Sequence, residues 1–337
     1  MAQFTILGET GSGKTCYLVG MYSEMAAGIG GYSIIAKNDE DDLKLQDMYD
    51  RMYDSSLGAD RFPAASDQAQ KYEFKLQYGF RDIMPFSWLD YPGGIIRAKG
   101  SEDEVAYNTL KEHVKESSTL FVCIDGEKLK GNRTSEKLRK IRRTTQNINK
   151  FLADYLNEDN KVPAVGIIIT KFDCCCEDTN KDEIEEIIRK SISPLFTEEA
   201  KAFVVFIPVS LGSEIADYGN SNIEPLNIHM PIAMGIYFAL LNKYNDDFEY
   251  YELGKMQEEV CRETIKKDGF ISSINGDALK HKNELEDVEY KNMLLEAELD
   301  ETGKNIKKLY DEINELYCIE NGKTLSSFPD FVERIRR

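Results

Sequence analysis

The sequence predicts a three-layer α/β domain with a mostly parallel sheet, followed by an α-helical C-terminal region. Short apolar runs alternate with stretches of helical composition over residues 1–245, which is typical of β-α-β units. Beyond about Asp246 the composition changes to Glu, Lys, Asn and Leu, which indicates helix alone. We therefore expect one domain over residues 1–245 and a helical region over residues 246–337.

Apolar runs predict the strands of the sheet. Several of them are apolar on successive residues, which suits strands that are covered by helices on both faces. The predicted strands are Phe4–Leu7, Tyr72–Tyr78, Phe86–Leu89, Leu120–Ile124, Ala164–Thr170 and Phe203–Val209. Helical composition between or after them predicts helices near residues 14–27, 101–116, 134–157, 181–190 and 229–245.

Two insertions enlarge this domain. Residues 31–60 hold a candidate extra strand, Tyr32–Ala36, followed by an acidic amphipathic helix to about Ser56. Residues 126–160 carry a basic run, which fits either a solvated helix face or a docking patch for an acidic partner. Its basic side chains are Lys128, Lys130, Arg133, Lys137, Arg139, Lys140, Arg142 and Arg143.

In the C-terminal region, apolar residues recur at a seven-residue spacing over residues 285–316. The pattern predicts a coiled coil, in which Asn292 sets the register of a parallel pair. An alternative explains the pattern equally well: the segment packs back on the chain's own domain, as one helix or as two helices broken near Gly303. The core positions are Leu285, Asn292, Leu299, Ile306 and Ile313 in one series and Val288, Leu295, Thr302, Leu309 and Leu316 in the other.

Charge and composition exclude several classes of function. With 60 acidic and 42 basic residues the formal net charge is −18, which disfavours a general nucleic-acid-binding role. No apolar stretch reaches the roughly 20 residues of a membrane span, and no signal peptide follows Met1. Seven cysteines, three of them consecutive at 174–176, indicate neither a disulfide framework nor a zinc site. We therefore expect a cytoplasmic protein.

A glycine-rich turn after the first strand predicts a phosphate site. Residues 8–15 match G-x-x-x-x-G-K-[ST] between a strand and a helix, the context in which this motif binds a nucleoside triphosphate. The glycines allow successive N–H groups to form an anion nest at a helix N-terminus. We expect Lys14 to reach the β- and γ-phosphates and Thr15 to bind magnesium. The expected nucleotide contacts here are Gly8, Thr10, Gly11, Ser12, Gly13, Lys14, Thr15 and Cys16.

An acidic element, Asp90-Tyr91-Pro92-Gly93, ends the run Phe86–Leu89. An aspartate at the end of a strand beside the phosphate-binding strand can hold magnesium, usually through water. The amide of Gly93 can then sense the γ-phosphate. We expect both residues to belong to the site.

The loop Thr170-Lys171-Phe172-Asp173 decides which base is bound. A carboxylate accepts hydrogen bonds from N1–H and the exocyclic amine of guanine, whereas adenine offers an acceptor at N1. Asp173 therefore selects guanine, Lys171 has the length to lie along the base, and Thr170 can tie this loop to the phosphate turn. Beyond the last predicted strand, the amides of Ser210 and Leu211 are expected at guanine O6.

These elements, in this order, resemble the TRAFAC class of P-loop GTPases, with Thr-Lys-Phe-Asp in place of the commoner Asn-Lys-x-Asp. The inserted helix, the segment 61–66 and Asn227-x-x-x-Pro231 resemble more narrowly the double-GTPases of bacterial conflict-related gene clusters. The resemblance covers residues 1–245 and implies GTP and GDP as ligands with Mg²⁺. In that family a threonine of the first switch completes the magnesium shell, and Ser66 is the nearest match.

One residue departs from the pattern of Ras-type GTPases. They place a glutamine that orients the attacking water directly after the position of Gly93, where this chain has Gly94. We therefore expect GTP hydrolysis to be slow unless a partner, a second subunit or another segment supplies that group. Arg97 and Arg61 are candidates for stabilising transition-state charge, with ordinary surface arginine as the alternative. The expected catalytic residues are Lys14, Ser66, Gly93 and Arg97.

The favoured hypothesis is a GTP-hydrolysing molecular switch whose helical tail couples nucleotide state to a protein effector or a homo-oligomer. The family resemblance implies a bacterial defence-type system. The alternative is a scaffold or pseudo-GTPase that holds nucleotide with little hydrolysis. Gly94 supports the alternative, whereas Lys14, Thr15 and Asp90 oppose it. Asp173 disfavours an ATPase or a kinase.

Overall fold

The computed structural model describes residues 1–64, 68–97, 104–130, 135–157, 163–176, 181–216, 222–268 and 277–331. It divides the chain into two compact units. The first comprises Met1–Phe238 and Glu312–Pro329, and the second comprises Ala239–Asp311 and Asp330–Arg337.

The first unit is built on one large sheet. Its strands are β1 (Ala2–Gly8), β2 (Tyr32–Ala36), β3 (Gln70–Tyr78), β4 (Arg81–Asp90), β5 (Thr119–Asp125), β6 (Ala164–Thr170), β7 (Phe203–Pro208), β8 (Tyr317–Glu320) and β9 (Lys323–Thr324). Over the described residues they lie in the order β2-β3-β4-β1-β5-β6-β7-β8-β9. The central strands β4, β1, β5, β6 and β7 are parallel, and antiparallel pairs extend both edges.

The helices connect and cover these strands. Their bounds are α1 (Lys14–Ala27), α2 (Asp39–Tyr53), α3 (Glu104–Glu116), α4 (Ser135–Leu156), α5 (Asp173–Cys176), α6 (Lys181–Ser191), α7 (Met230–Asp268) and α8 (Asp277–Ile313). Alternate residues of the strands enter two different cores. On one face, apolar residues of β1, β5, β6 and β7 form a cluster with those of α3, α4 and α6. On the other, Tyr17 of α1 packs against Trp88 and Phe238 of α7 packs against Phe203.

This architecture confirms the predicted fold class, a largely parallel α/β domain followed by helices. All of the predicted strands are present, and the insertion forms β2 and α2 as expected. The start of α2 is set locally, because the Asn38 side chain accepts a hydrogen bond from the Asp41 amide at 2.8 Å. Four acidic residues then occupy the first turn, where the helix dipole favours negative charge.

Two strands were missing from the sequence-based prediction. β8 pairs antiparallel with β7, and β9 pairs with β8, so that residues far along the chain complete one edge of the sheet. Their four-residue and two-residue lengths leave no periodic pattern to detect. Ile319 of β8 is nevertheless fully buried in the core of the first unit.

In the second unit, residues of α7 and α8 pair with one another. Asn292 donates a hydrogen bond to Glu258 at 3.0 Å, and Arg262 contacts Glu289 at 2.8 Å. A Cβ on Gly254 would lie 2.1 Å from the Asn292 side-chain oxygen, so a larger residue there would displace the Asn292 side chain.

At the heptad position Asn292, the side chain bonds Glu258 of the same chain. α8 continues through Gly303, as in the one-helix form of that alternative and not the form with two helices broken there. Residues of α8 therefore contact α7 of the same chain. A coiled coil between chains, and a domain boundary near residue 245, remain predictions.

Within the described ranges, none of the helices has the length and apolar character needed to cross a membrane.

Candidate functional site

The glycine-rich turn joins β1 to α1. Gly11 and Gly13 have φ values of 78° and 84°, the left-handed region that glycine adopts without strain. The Lys14 ammonium folds back over the turn and donates to the carbonyls of Gly8 and Glu9, each at 3.0 Å. The ammonium therefore lies at the turn whose backbone amides would bind phosphate.

Thr15 and Asp90 meet where β4 ends beside β1. The Thr15 hydroxyl donates to Asp90 Oδ2 at 2.9 Å. Asp90 is 2% exposed, and its Oδ1 has no hydrogen-bond partner within the described residues. Burial raises the pKa of Asp90, although Lys14 and Thr15 act in the opposite direction. Lys14 and Thr15 thus compensate the buried carboxylate only in part, and a bound cation would complete the compensation.

Gly93 lies against the phosphate turn itself. A Cβ at this position would be 2.1 Å from the Thr10 nitrogen and 2.4 Å from the Glu9 carbonyl carbon. Glycine is therefore required for the contact between these two backbones. By contrast, a Cβ on Gly94 would meet no atom within 4 Å among the described residues.

The base-binding loop is tied to the phosphate turn at the end of β6. Thr170 Oγ1 donates to the Ser12 carbonyl at 2.6 Å and approaches the Ile124 carbonyl at 3.2 Å. This bond is the tie that the sequence suggested for Thr170. It joins the two predicted ends of the site directly.

Lys171 adopts a left-handed backbone conformation, with φ 49°. Its ammonium lies 3.3 Å from Asp125 Oδ1 and 3.5 Å from Glu127 Oε2. Partial burial works against the charged form, but these carboxylates raise the pKa of Lys171 above its ordinary value. The lysine is therefore a fixed cation at the base end of the site.

Asp173, two residues on, begins the short helix α5. The Cys174 thiol donates to Asp173 Oδ2 at 3.6 Å. Burial, and then Asp173 itself, raise the pKa of Cys174 to about 11. The thiol is therefore a weak acid that contacts Asp173 as a hydrogen-bond donor.

The segment after β7 pairs with Leu226 at Ser210. The Ser210 amide donates to the Leu226 carbonyl at 3.3 Å, and the Leu226 amide donates to the Ser210 carbonyl at 2.9 Å. The Gly212 amide donates to Ser210 Oγ at 2.9 Å. Of the amides of Ser210, Leu211 and Gly212, that of Leu211 has no acceptor among the described residues. Leu211 is therefore a better candidate for guanine O6 than Ser210.

One cavity of about 610 Å³ spans both ends of the site. The sequence-predicted residues that line it are Thr10, Gly11, Gly13, Lys14, Thr15, Cys16, Asp90, Gly93, Thr170, Lys171, Asp173, Ser210 and Leu211. Gly8 and Ser12 belong to the turn but do not line the cavity. Ser66 lies outside the described residues, and so does the side chain of Arg97, whose backbone ends the turn Ile95–Arg97.

Sequence reasoning missed several lining residues. Phe62, Pro63 and Ala64 lie in the segment that the family resemblance singled out, and this could have indicated their role. Ile215 and Ile228 carry no local signal, because only the folding of distant loops brings them to the cavity.

Arg61, a candidate for transition-state stabilisation, is 1% exposed. Its guanidinium donates to the Ile215 carbonyl and lies over the Phe62 ring, 5.1 Å from the ring centroid. It does not line the cavity, so this geometry favours a structural role that anchors Phe62 beside it.

A parallel sheet, a lysine-bearing glycine turn, the Thr15–Asp90 pair and a Thr-Lys-Phe-Asp loop on one cavity define a P-loop GTPase. Residues 4–208 match the family model Double-GTPase 2. The chain belongs to this family and is a guanine-nucleotide-binding protein.

Solved structures with a similar fold share little sequence with this chain. The GTP-bound Ski7 GTPase-like domain of S. cerevisiae is 16% identical, with TM-score 0.36, over 63% of this chain and 44% of that one. The signal recognition particle receptor SRb-GTP/SRX complex from Chaetomium thermophilum is 15% identical, with TM-score 0.37, over 62% of this chain and 90% of that one. A variant of SsGBP is 14% identical, with TM-score 0.30, over 62% of this chain and 50% of that one. No curated protein sequence matches the chain.

Proposed function

We propose that the protein is a molecular switch that binds GTP with Mg²⁺, hydrolyses it to GDP and phosphate, and transmits the nucleotide state to a partner. The observation that carries this proposal is the single cavity with Lys14, Thr15 and Asp90 at one end and Lys171 and Asp173 at the other. Its two ends suit the opposite ends of one guanine nucleotide.

At the phosphate end, the turn supplies backbone N–H groups and the N-terminus of α1, both of which favour anions. Lys14 donates hydrogen bonds to the carbonyls of Gly8 and Glu9. Phosphate oxygens carry full negative charge and compete for the same ammonium. Lys14 then binds the β- and γ-phosphates and stabilises the charge that develops on them during hydrolysis.

The oxygens of Thr15 and Asp90 fit Mg²⁺. Magnesium takes oxygen ligands, and in nucleotide sites it uses one or two protein groups with phosphates and water. The hydroxyl and the carboxylate are already adjacent, and Asp90 Oδ1 is buried without a hydrogen-bond partner among the described residues. A Mg²⁺ held there would supply positive charge against that of the phosphates. Thr15 would hold it directly and Asp90 would hold it directly or through water.

At the base end, Asp173 accepts from guanine N1–H and the exocyclic amine, and Lys171 lies along the ring. The Thr170 hydrogen bond to Ser12 keeps this loop at a fixed distance from the phosphate turn. Guanine selection and phosphate binding therefore operate on the same rigid frame.

The switch itself is proposed at Gly93, whose backbone contacts the phosphate turn at Thr10. A γ-phosphate bound by that turn would accept a hydrogen bond from the Gly93 amide, and its loss on hydrolysis would remove that bond. Gly94 provides no side chain to orient water, so we propose that hydrolysis is slow until a partner, a second subunit or another segment supplies one.

Gly94 also favours a second candidate, a nucleotide-holding scaffold with little hydrolysis. Single-turnover assays with purified protein, GTP and Mg²⁺ separate the two. Phosphate release above that of Lys14→Ala, which controls for contaminating hydrolases, supports the switch. Tight GTP binding with no release, alone or with candidate partners, supports the scaffold.

Coupling to a protein effector or to a second copy through the C-terminal helices, in a bacterial defence-type system, belongs to the same proposal. The defence-type system follows from the family resemblance, and the coupling from the position of the helices, which follow the matched residues 4–208. A cytoplasmic location is also proposed, because three consecutive cysteines suit a reducing compartment.

A further inference from the structure

The turn that follows β5 lies between the two ends of the nucleotide site. β5 pairs with β1, which leads into the phosphate turn, and with β6, which leads into the base loop. Beyond β5 the chain forms a 3₁₀ turn, Gly126–Leu129. No nucleotide-binding motif includes this turn, yet its charged side chains contact both loops.

Asp125, the last residue of β5, contacts the base loop. Its side chain is 7% exposed and lies 3.3 Å from the Lys171 ammonium. A carboxylate this deeply buried is costly unless a cation or hydrogen-bond donors compensate it. Asp125 Oδ1 also accepts from the Glu127 amide at 3.2 Å, which fixes the carboxylate relative to its own turn.

Gly126 allows this turn to approach the base loop closely. A Cβ there would be 2.5 Å from the Thr170 carbonyl oxygen and 2.8 Å from that of Lys171. The turn therefore packs against the backbone of Lys171, and Asp125 pairs with the side chain of the same residue. Lys171 is in a left-handed conformation that non-glycine residues adopt at a cost, so it needs such support.

The same turn contacts the phosphate end. Lys128 forms an ion pair with Glu9 of the glycine-rich turn at 2.8 Å. One short segment thus holds a lysine of the base loop through Asp125 and a glutamate of the phosphate turn through Lys128.

We propose that Asp125 is a positioning residue for guanine-nucleotide binding, which holds the Lys171 side chain in place along the base. This inference rests on the proposed function. Asp125 acts through Lys171 at the base end, and GTP and GDP carry the same base. Its loss therefore weakens GTP and GDP binding by the same factor, and it weakens neither in a chain whose Lys171 has already lost its ammonium.

A double-mutant cycle tests this coupling. Asp125→Asn removes the charge but keeps an oxygen that accepts from the Glu127 amide. Lys171→Met keeps the aliphatic stem and removes the ammonium. We expect each single variant to weaken GDP and GTP binding about tenfold in calorimetric titrations, and the double variant to bind no more weakly than either single one.

Asp82→Asn is the matched control, because Asp82 forms a comparable pair with Lys75 at 2.8 Å in the exposed β3–β4 hairpin. It should leave both affinities unchanged. Lys171 is partly exposed, so Lys171→Met tests the pair even if Asp125→Asn fails to fold. Unchanged affinity in Lys171→Met, or fully additive losses in the double variant, overturns the positioning role while GTP binding by the wild type stands. Wild-type protein that binds neither nucleotide overturns the proposed function and this inference together.

Discussion

The hydroxyl of Thr15 donates to the carboxylate of Asp90 at 2.9 Å, although the two residues are 75 positions apart in the chain. Parallel pairing of β1 with β4 causes this proximity, because it places Asp90 opposite Ile6, just before the phosphate turn. The two residues reach the same point from different motifs, and neither motif alone specifies the distance between them.

Removing the Thr15 hydroxyl should abolish the magnesium dependence of GTP binding. Thr15→Val keeps the shape of the side chain and deletes the proposed ligand. We expect wild-type affinity to fall at least about tenfold when EDTA replaces Mg²⁺, while the variant binds weakly in both conditions. Thr109→Val is the control. Thr109 is an exposed threonine of α3, and its hydroxyl donates to the Val105 carbonyl. A variant that keeps the wild-type response to Mg²⁺ would exclude Thr15 as a ligand.

Asp173→Asn should change which base is accepted. The amide presents a donor to guanine N1–H or its amine, so about 10- to 100-fold of GTP affinity should be lost, as for hydrogen bonds to charged groups. Xanthosine triphosphate has an oxygen where guanine has the amine, and it should bind the variant better than GTP does. Competition titrations with GTP, XTP and ATP measure this. An unchanged preference for GTP would show that another residue reads the base.

Gly93→Ala and Gly94→Ala form a matched pair of adjacent substitutions. The added methyl at 93 meets the Thr10 nitrogen at 2.1 Å, whereas at 94 it meets no described atom within 4 Å. We expect Gly93→Ala to bind GTP about as weakly as GDP or more weakly, because the backbone must move away from the γ-phosphate. Gly94→Ala should match the wild type in both titrations. Equal behaviour of the two variants would contradict the proposed sensor.

The α7–α8 contact should make stability depend on acid pH. A hydrogen bond from Asn292 is the largest cause that lowers the pKa of Glu258, followed by Lys255 and Arg262. A carboxyl group with a lowered folded pKa stabilises the fold above its unfolded pKa of about 4.3, and this stabilisation is lost as the pH falls through the folded value.

We therefore expect thermal unfolding of the α7–α8 region, followed by circular dichroism, to shift to lower temperature between pH 6 and pH 3. Asn292→Ala should shift less over this range, because the bond that lowers the Glu258 pKa is absent. An Asn292→Ala protein with the full wild-type shift would show that this bond does not contribute.

The sequence predicted elements whose signals are local. The phosphate turn is recognised from glycine spacing between a strand and a helix, and Asp173 from the chemistry of guanine, so a few consecutive residues are enough to locate each of them. The strands were found because buried parallel strands are apolar on successive residues. The heptads of α8 were equally visible, but a periodic face does not reveal what covers it.

By itself, the sequence determined the fold class, the family and the identity of the nucleotide motifs, since each depends on residues that are neighbours in the chain. Tertiary structure decided the pairing of β8 with β7, the binding of Asn292 to Glu258, the burial of Arg61 and the contact of Asp125 with Lys171. Each of these joins residues that are far apart in sequence, and the physical reason is that burial and charge compensation are settled only when packing brings distant groups together.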